Sequence, residues 1–494
     1  MIHAYRNNGC NIVLDVHSGA VHVVDDLTYS LIPKVEKLLT ERFRTAAFTS
    51  RPGDEVPALT EEFTAILSHE PDEEIAAGVA EAFSEAGRDA DIRDVLQEII
   101  EEILTLRAEG QLYTDDPYRK HAENFKKRQT VVKALCLNVA HACNLACRYC
   151  FAGAGEYHGS RELMSAEVGR AALDFLVANS GSRRNLEVDF FGGEPLLNWE
   201  VIKEIVGYGR QLEEKHDKHF RFTLTTNGTL LTDEILEFVN KEMDNIVLSI
   251  DGRKEVNDRM RPWSDGRTES AYDTIVPKYL EVAKSRGGER YFVRGTFTHE
   301  NLDFAEDVKH LADLGFTQIS MEPVVAKPSD PWAIKEEDLP ALMEEYDKLA
   351  ALYLEYRKAG RPFHFFHFNI DLEGGPCVIK RLSGCGSGCE YLGVTPAGEL
   401  YPCHQFVGNT PFIMGNVFDG ITRDDIREQF AASNVYTREE CTKCFARYYC
   451  SGGCAANAWN FNGDINTVYE TGCVLQRKRI ECAIMIKAAE GVEK

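Results

Sequence analysis

No stretch of the 494-residue chain stays apolar for the roughly 20 residues that a membrane-spanning helix needs. The opening residues, Met1-Ile2-His3-Ala4-Tyr5-Arg6, carry no apolar core of a secretory signal. From these two absences a cytoplasmic protein without a membrane partner is expected. Basic charge is also short: 55 Lys and Arg against 79 Asp and Glu leave a net charge of −24. Neutralising phosphates needs clustered cations, so no nucleic-acid partner is expected. A basic peptide partner is compatible with this charge but not required by it. The remaining composition, 44% hydrophobic and 27% charged, is that of an ordinary globular protein. Its length suggests about two to four domains.

Cysteine is abundant, with 15 in the chain. Structural disulfides are rare in the cytosol, so metal or cluster ligation leads as the explanation. Eight of the 15 fall between Cys377 and Cys454. The most informative group lies earlier, in Cys143-Asn144-Leu145-Ala146-Cys147-Arg148-Tyr149-Cys150, directly after the apolar run Ala134–Val139. A [4Fe–4S] cluster takes four ligands, usually thiolates. Three here leave one iron open to an outside ligand. A zinc knuckle is the alternative, but zinc sites usually pair C-x2-C spacings with four ligands close by.

In chain order, residues 10–25 read as a β-hairpin: Asn11–Val16 and Val21–Val24 flank a turn at Ser18-Gly19. Leu27, Leu31, Val35 and Leu38 then fall at helical spacing. A loop near Arg51–Pro57 leads to a second periodic stretch, Phe63–Leu67. A third helix carries Ile92, Val95, Leu96, Ile99, Ile100, Ile103 and Leu104, with Gly110 as its C-cap and Gln111-Leu112-Tyr113 as a short strand. This content is compatible with a winged-helix-like module at residues 1–115. Asp72, Glu73, Glu74, Glu101 and Glu102 speak against DNA. An exposed hairpin edge can instead accept a peptide as an added strand; a packing cap on the rest of the chain is the plain alternative. Residues 116–132 are polar and read as a linker.

From residue 133 to 325 short apolar strands alternate with helices. Strands are expected at Ala134–Val139, Leu186–Phe191, Phe220–Thr225, Asn245–Ile250, Tyr291–Phe297 and Thr317–Met321, and helices near 165–179, 199–217, 232–242, 270–286 and 302–314. Six β–α repeats indicate an α/β fold, a partial (βα)6 TIM-type barrel. The suggestive polar residues fall at one place in each repeat, the C-terminal ends of the strands, where barrel active sites sit. They are the cysteine loop, Gly192-Gly193-Glu194-Pro195, Thr225-Thr226-Asn227-Gly228, Ser249 with Asp251-Gly252, Arg294, and Glu322-Pro323. Taken singly, each has a plain reading as a turn.

Residues 326–376 form a bridging region with a helix at Glu337–Lys358 and an aromatic segment, Phe363–Phe368. That segment reads as a buried strand with satisfied histidines in preference to a channel wall. Residues 377–494 hold Cys377, Cys385, Cys389, Cys403, Cys441, Cys444, Cys450, Cys454 and Cys473, with glycine-rich runs at Gly384–Cys389 and Ser451–Cys454. Glycine favours close backbone approach to a bulky cluster, and amides aimed at cluster sulfurs tune its potential. A zinc ribbon on Cys441, Cys444, Cys450 and Cys454 is the alternative.

The cysteine loop with its following Phe151 resembles the signature of radical S-adenosylmethionine (SAM) enzymes. Together with the GGEP stretch and the C-terminal cysteines, it resembles the SPASM subgroup of peptide modifiers. More closely, His141–Ala152, Asn185–Pro195 and Thr395–Phe406 are similar to the maturases of SCIFF (six-cysteine) peptides. The N-terminal module is similar to the RiPP recognition element, which binds a precursor's leader by strand addition. The resemblance implies three [4Fe–4S] clusters and SAM as cofactors, with a cysteine-rich precursor peptide and an electron donor such as ferredoxin or flavodoxin as partners. It also implies an oxidoreductase in which a 5′-deoxyadenosyl radical takes hydrogen from an acceptor residue, typically Thr. A cysteine sulfur of the same peptide then attacks that carbon to give a thioether, as in sactipeptide or ranthipeptide maturation, and an auxiliary cluster takes up the extra electron.

Carried over to these positions, Cys143, Cys147 and Cys150 hold the SAM cluster. Tyr149, Gly192, Gly193, Glu194, Asn227, Ser249, Asp251 and Arg294 line the SAM site: Gly193 and Glu194 at its amino group, Ser249, Asp251 and Asn227 at the ribose, Arg294 at the carboxylate. A distal auxiliary cluster takes Cys441, Cys444, Cys450 and Cys473. A proximal one takes Cys385, Cys403 and Cys454, with Cys377, Cys389 or no residue as the fourth ligand. Cys10, Cys136 and Cys482 read as small buried residues. Competing expectations are a formylglycine-forming enzyme of the anaerobic sulfatase-maturase kind and a non-catalytic leader-binding or electron-transfer protein.

Overall fold

The computed structural model describes residues 1–43, 61, 92–122, 130–157, 159, 161–372 and 378–492. The loop expected near 51–57, the stretch Phe63–Leu67, the acidic residues 72–74 and Cys377 lie outside the described residues. The chain divides into two units: residues 1–119 with 370–375 and 480–494, and residues 120–369 with 376–479. Among the described residues no helix is long and apolar enough to cross a membrane.

In the first unit, β1 (Ile2–Asn7), β2 (Cys10–Asp15) and β3 (Val21–Val24) form an antiparallel sheet in that order. The hairpin matches its expectation, but β1 was not foreseen. Its side chains find partners at the far end of the chain. Tyr5 Oη donates to the Glu481 carbonyl at 2.9 Å, and His3 Nε2 lies 2.8 Å from Glu481 Oε1. Helices Asp26–Phe43 and Ile92–Ala108 pack on the sheet. Leu27, Leu31, Val35, Leu96, Ile100, Ile103 and Leu104 are buried together, the faces that the helical spacing indicated. Each such side chain is worth about 1.5–3 kcal/mol of burial.

Gly110, at φ 71°, ends the second helix as expected. Gln111–Tyr113 is not a strand. Tyr113 sits at φ 54°, outside extended backbone, and its hydroxyl donates to the Ile32 carbonyl at 2.9 Å. Asp15, buried at the end of β2, accepts from the amides of His17, Ser18 and Thr114 and so ties the hairpin turn to this segment.

The second unit is built on β4 (Ala134–Ala140), β5 (Asn185–Gly192), β6 (His219–Thr226), β7 (Asn245–Ser249), β8 (Tyr291–Phe297) and β9 (Gln318–Pro323). They lie parallel in chain order, as the βα repeats require. The intervening helices Ala166–Asn179, Trp199–His216, Asp233–Glu242, Ala271–Ser285 and Phe304–Asp313 fall where the periodicity put them. Three start on side-chain caps, at Ser165, Thr232 and Ser270. A further short helix, Lys254–Met260, follows β7.

The sheet is wider than six strands. β10 (His364–Phe365) adds beyond β9, and β11 (Tyr391–Val394) pairs parallel with β4. β12 (Glu399–Tyr401), β13 (Gly415–Asn416) and β14 (Gly420–Ile421) follow antiparallel. The C-terminal region thus continues the barrel sheet, an extension that no sequence periodicity indicated. In the aromatic segment Phe365 and Phe368 are buried. His367 is satisfied by Ser320 Oγ and Arg479 Nη1, both at 3.0 Å, as expected, whereas His364 Nδ1 is buried without a hydrogen-bond partner among the described residues, against the expectation. Only His364 and Phe365 are strand; Phe366–Phe368 is a 3-10 turn with Phe366 exposed.

Candidate active site

The loop after β4 carries Cys143, Cys147 and Cys150, and two flanking segments hold its backbone. Residues 260–264 grip one side: the Ala146 amide donates to the Pro262 carbonyl at 2.8 Å, Arg148 to Met260 at 2.9 Å, and Ser264 to Asn144 at 3.0 Å. The end of β5 grips the other, with the Gly193 amide on the Ala140 carbonyl and the Glu194 amide on the Ala142 carbonyl, each at 2.8 Å. This approach is too close for side chains. A Cβ at Gly192 would collide with the Ala140 carbonyl, and one at Gly193 with that of Ala142. Gly155, at φ 86°, closes the same packing, and a Cβ there would meet the Gly193 Cα at 2.6 Å. Its need for glycine shows only in three dimensions.

All three thiols are half-buried and free. Burial, with the charge of Glu194 next, pushes the Cys143 thiol up to about 11, and burial pushes Cys147 up to about 12. The Leu145 amide, 3.4 Å from Cys143 Sγ, and Asn227 Nδ2, 3.7 Å away, favour its thiolate. Three convergent free thiols in one short loop suit three irons of a cluster, where metal bonding supplies the deprotonation that burial opposes.

The carboxylates expected at SAM are already engaged. Glu194 is fully buried. One oxygen accepts from the Leu196 amide at 3.0 Å and Thr226 Oγ1 at 2.7 Å, and the other from the Asn227 amide at 2.7 Å. Burial raises its carboxyl to about 7 against those three bonds. Asp251, also fully buried, accepts Arg261 Nε and Nη2 at 2.9 and 3.0 Å, Tyr149 Oη at 2.7 and 2.8 Å, and the Thr296 amide at 3.0 Å. Arg261 further lies 5.6 Å over the Tyr149 ring. Tyr149, Asp251 and Arg261 therefore form one buried clamp on the cysteine loop. Arg261 was missed by sequence reasoning, since nothing in its spacing ties it to Asp251.

Asn227 is drawn into the same support. Its Nδ2 donates to Asn144 Oδ1 at 2.8 Å, and its Oδ1 accepts from Thr229 Oγ1 at 2.7 Å. Ser249 pairs in register with Arg294 on β8, whose guanidinium meets Glu322 Oε1 on β9 at 3.2 Å. The barrel-end residues thus gather at one end of the sheet. Asp251, Glu194 and Asn227 brace the loop, while Arg294 is half-exposed.

The C-terminal thiols form two sets. Cys441, Cys444, Cys450 and Cys473 line one cavity, together with Arg447 and Arg477. Cys403 is buried, and its thiol is raised by that burial and then by the nearby charges of Cys454 and Cys385. Cys389 lines a second cavity with Cys385, its thiol donating to the Arg427 carbonyl at 3.5 Å. Among the described residues no three Cys, His, Asp or Glu side chains are arranged around a single metal ion. Cys136 and Cys482 are buried as expected; Cys10 is only half-buried. The second set is joined to the barrel end by His404, next to Cys403. Its ring lies 5.9 Å from Phe151, which follows Cys150, and 5.2 Å from Phe191 on β5.

Comparison with known proteins agrees with this arrangement. Residues 137–275 match the Radical SAM superfamily. An uncharacterised protein of Methanocaldococcus jannaschii is 29% identical over 322 residues, 64% of this chain and 99% of the relative. The radical SAM cyclopropyl synthase TigE of Paramaledivibacter caminithermalis is 21% identical, over 78% of this chain and 82% of its own. The solved structure of native anSMEcpe with bound AdoMet superposes with a TM-score of 0.62 at 20% identity, covering 74% of this chain and 100% of that one. The same enzyme has also been solved with AdoMet and a Cp18Cys peptide. Residues 137–275 of this chain thus match a radical SAM domain, carried on an α/β fold with a parallel sheet, and the proteins similar to it include a radical SAM cyclopropyl synthase.

Proposed function

We propose that the protein is a radical SAM maturase that forms intramolecular Cys-to-Thr, or similar, thioether crosslinks in a cysteine-rich ribosomal precursor peptide. The observation that carries this reading is the joining of two thiol-rich regions through His404 and Phe151: a three-cysteine loop at the barrel end and, in packing contact with it, a C-terminal region with two further thiol sets. A catalyst that makes one radical and must dispose of one further electron needs both.

In this reading Cys143, Cys147 and Cys150 hold a [4Fe–4S] cluster whose open iron binds SAM, and residues 377–494 are a SPASM domain with two auxiliary clusters. Cys441, Cys444, Cys450 and Cys473 hold the distal one; Cys385, Cys403 and Cys454 hold the proximal one. SAM on the reduced cluster supplies the 5′-deoxyadenosyl radical that takes hydrogen from the acceptor residue. The chain's own residues set the geometry. Gly192 and Gly193 bring the β5 backbone against the cluster loop, and Glu194 fixes the Thr226–Asn227 turn. The Tyr149–Asp251–Arg261 clamp holds the loop on its other side. Ser249 and Arg294 remain to meet the SAM ribose and carboxylate, Arg294 by exchanging its Glu322 partner for the ligand.

The N-terminal unit serves as a leader-docking element in this reading. β1 is engaged by Glu481 and Cys482, whereas among the described residues β3 pairs with β2 alone, and its Val23 is exposed. A strand edge with free backbone groups is what strand addition uses. That the solved relative anSMEcpe binds a peptide beside AdoMet supports a peptide substrate.

The test uses anaerobically reconstituted protein, SAM, a strong reductant and a cysteine-rich peptide encoded beside the gene. After reduction and alkylation, mass spectrometry is expected to show two hydrogens lost per crosslink and one cysteine left unalkylated. SAM cleavage with a peptide in which a cysteine has become formylglycine would replace the thioether reading.

A further inference from the structure

One buried arginine faces both C-terminal thiol sets. Arg438 lies three residues before Cys441 and is 4% exposed. Nη2 donates to Ser433 Oγ at 2.9 Å and to the Ile465 carbonyl at 3.0 Å, and Nε donates to the same carbonyl at 3.3 Å. Nη1 lies against Gly452, where a Cβ would collide with it; Gly452 stands between Cys450 and Cys454. The side chain also lines the cavity shared by Cys385 and Cys389.

Among the described residues Arg438 makes no ion pair with a carboxylate. Gly452, against which Nη1 lies, itself lines the four-cysteine cavity, so the side chain stands between the two thiol sets; burial opposes its charge, and the sulfurs of Cys441, Cys450, Cys454 and Cys473 would favour it. A buried cation without a counter-ion is costly, and thiols that stay protonated cannot supply one. Thiolates bonded to iron can. The other arginines nearby are placed differently. Arg477 lines only the four-cysteine cavity and is pulled toward Glu470, 2.9 Å away. Arg447 lines that cavity alone, donating to the Thr442 carbonyl at 2.6 Å.

We infer that Arg438 is a fixed counter-charge shared by the two auxiliary clusters, a positioning residue that raises the reduction potential of both. The inference rests on the two-cluster reading above. A cation held in a poorly screened site favours the state carrying one more electron, so the clusters become better electron acceptors. Arginine suits the role because its planar fork stays charged and can grip Ser433 and Ile465 at once; a lysine ammonium keeps the charge but not the grip.

The test uses the full chain with Cys143, Cys147 and Cys150 changed to Ala, so that only auxiliary clusters report. Iron and acid-labile sulfide are measured first, then the midpoint potentials by EPR-monitored redox titration. Arg438→Gln is expected to keep its iron and to shift both midpoints to lower potential. Arg438→Lys should shift them less, and Arg477→Gln should move no more than one. Unmoved midpoints in fully loaded Arg438→Gln overturn the inference. If Arg438→Gln loses iron, Arg438→Lys decides. Iron restored with near-parental midpoints supports the charge role, and iron lost from both makes the guanidinium a structural clamp and overturns it. A parent variant without iron or sulfide refutes the two-cluster reading itself, and the inference with it.

Discussion

At the barrel end, three cysteines fall within eight residues on a loop gripped by β5 on one side and residues 260–264 on the other. In the C-terminal region the cysteines come from Cys385 through Cys473, on short helices and turns and, for Cys473, on the first turn of the helix Glu470–Val492, with few long-range backbone bonds between them. The first arrangement is assembled by the protein. Its thiols converge because glycines and buried carboxylates fix the backbone, and a cluster binds to a finished site. In the second, on the proposed reading, the cysteines themselves would link the segments, so that metal binding and local folding would be one event. The contrast explains where the buried charge lies. Around the loop Asp251 and Glu194 are satisfied by protein donors, whereas Arg438, bonded to the Ser433 hydroxyl and the Ile465 carbonyl, has no carboxylate partner among the described residues.

Breaking the comparison at its strongest point gives the largest effect. Cys147→Ala should abolish reductive SAM cleavage, on the order of a 10³-fold or greater fall in 5′-deoxyadenosine, with the C-terminal iron retained. Removing all iron by anaerobic chelation should lower hydrogen-exchange protection across residues 385–473 by about 10²-fold or more while β4–β7 keep theirs. Equal loss in both regions would erase the distinction.

Within the loop, Asp251→Asn strands the Arg261 guanidinium and should cost about 3–5 kcal/mol in denaturant unfolding. Gly193→Ala should cost about 1–3 kcal/mol and weaken SAM binding, read by isothermal titration, because the Ala142 carbonyl must move. Cys389→Ser should have the smallest effect, within about 1 kcal/mol and with iron unchanged, since its thiol bonds the Arg427 carbonyl. Loss of one cluster from that variant would make Cys389 the fourth proximal ligand.

The sequence disclosed the elements whose signal is local. The six barrel strands and the polar residues at their ends were legible because a βα repeat writes its periodicity and its turn into adjacent residues. The thiol sets were legible because cysteine has few other uses at that density. What stayed hidden depends on distant partners. β1 is a strand whose outward Tyr5 and His3 meet Glu481, and β11 gains its identity from pairing with β4. Asp251 was visible as a strand-end carboxylate, but Arg261 and Tyr149, which occupy it, are brought there only by the fold. Gly155 looked like any loop glycine until Gly193 was packed against it.

On the proposed reading the barrel-end loop holds one substrate-accessible cluster and the C-terminal region holds two others independently. Counting iron and sulfide per chain beside 5′-deoxyadenosine yield, in the wild type and in the variant lacking Cys143, Cys147 and Cys150, tests it directly. The expected result is about 12 irons with SAM cleavage in the wild type and about 8 irons with none in the variant. A variant that still cleaves SAM, or that loses all its iron with the loop cysteines, would contradict it.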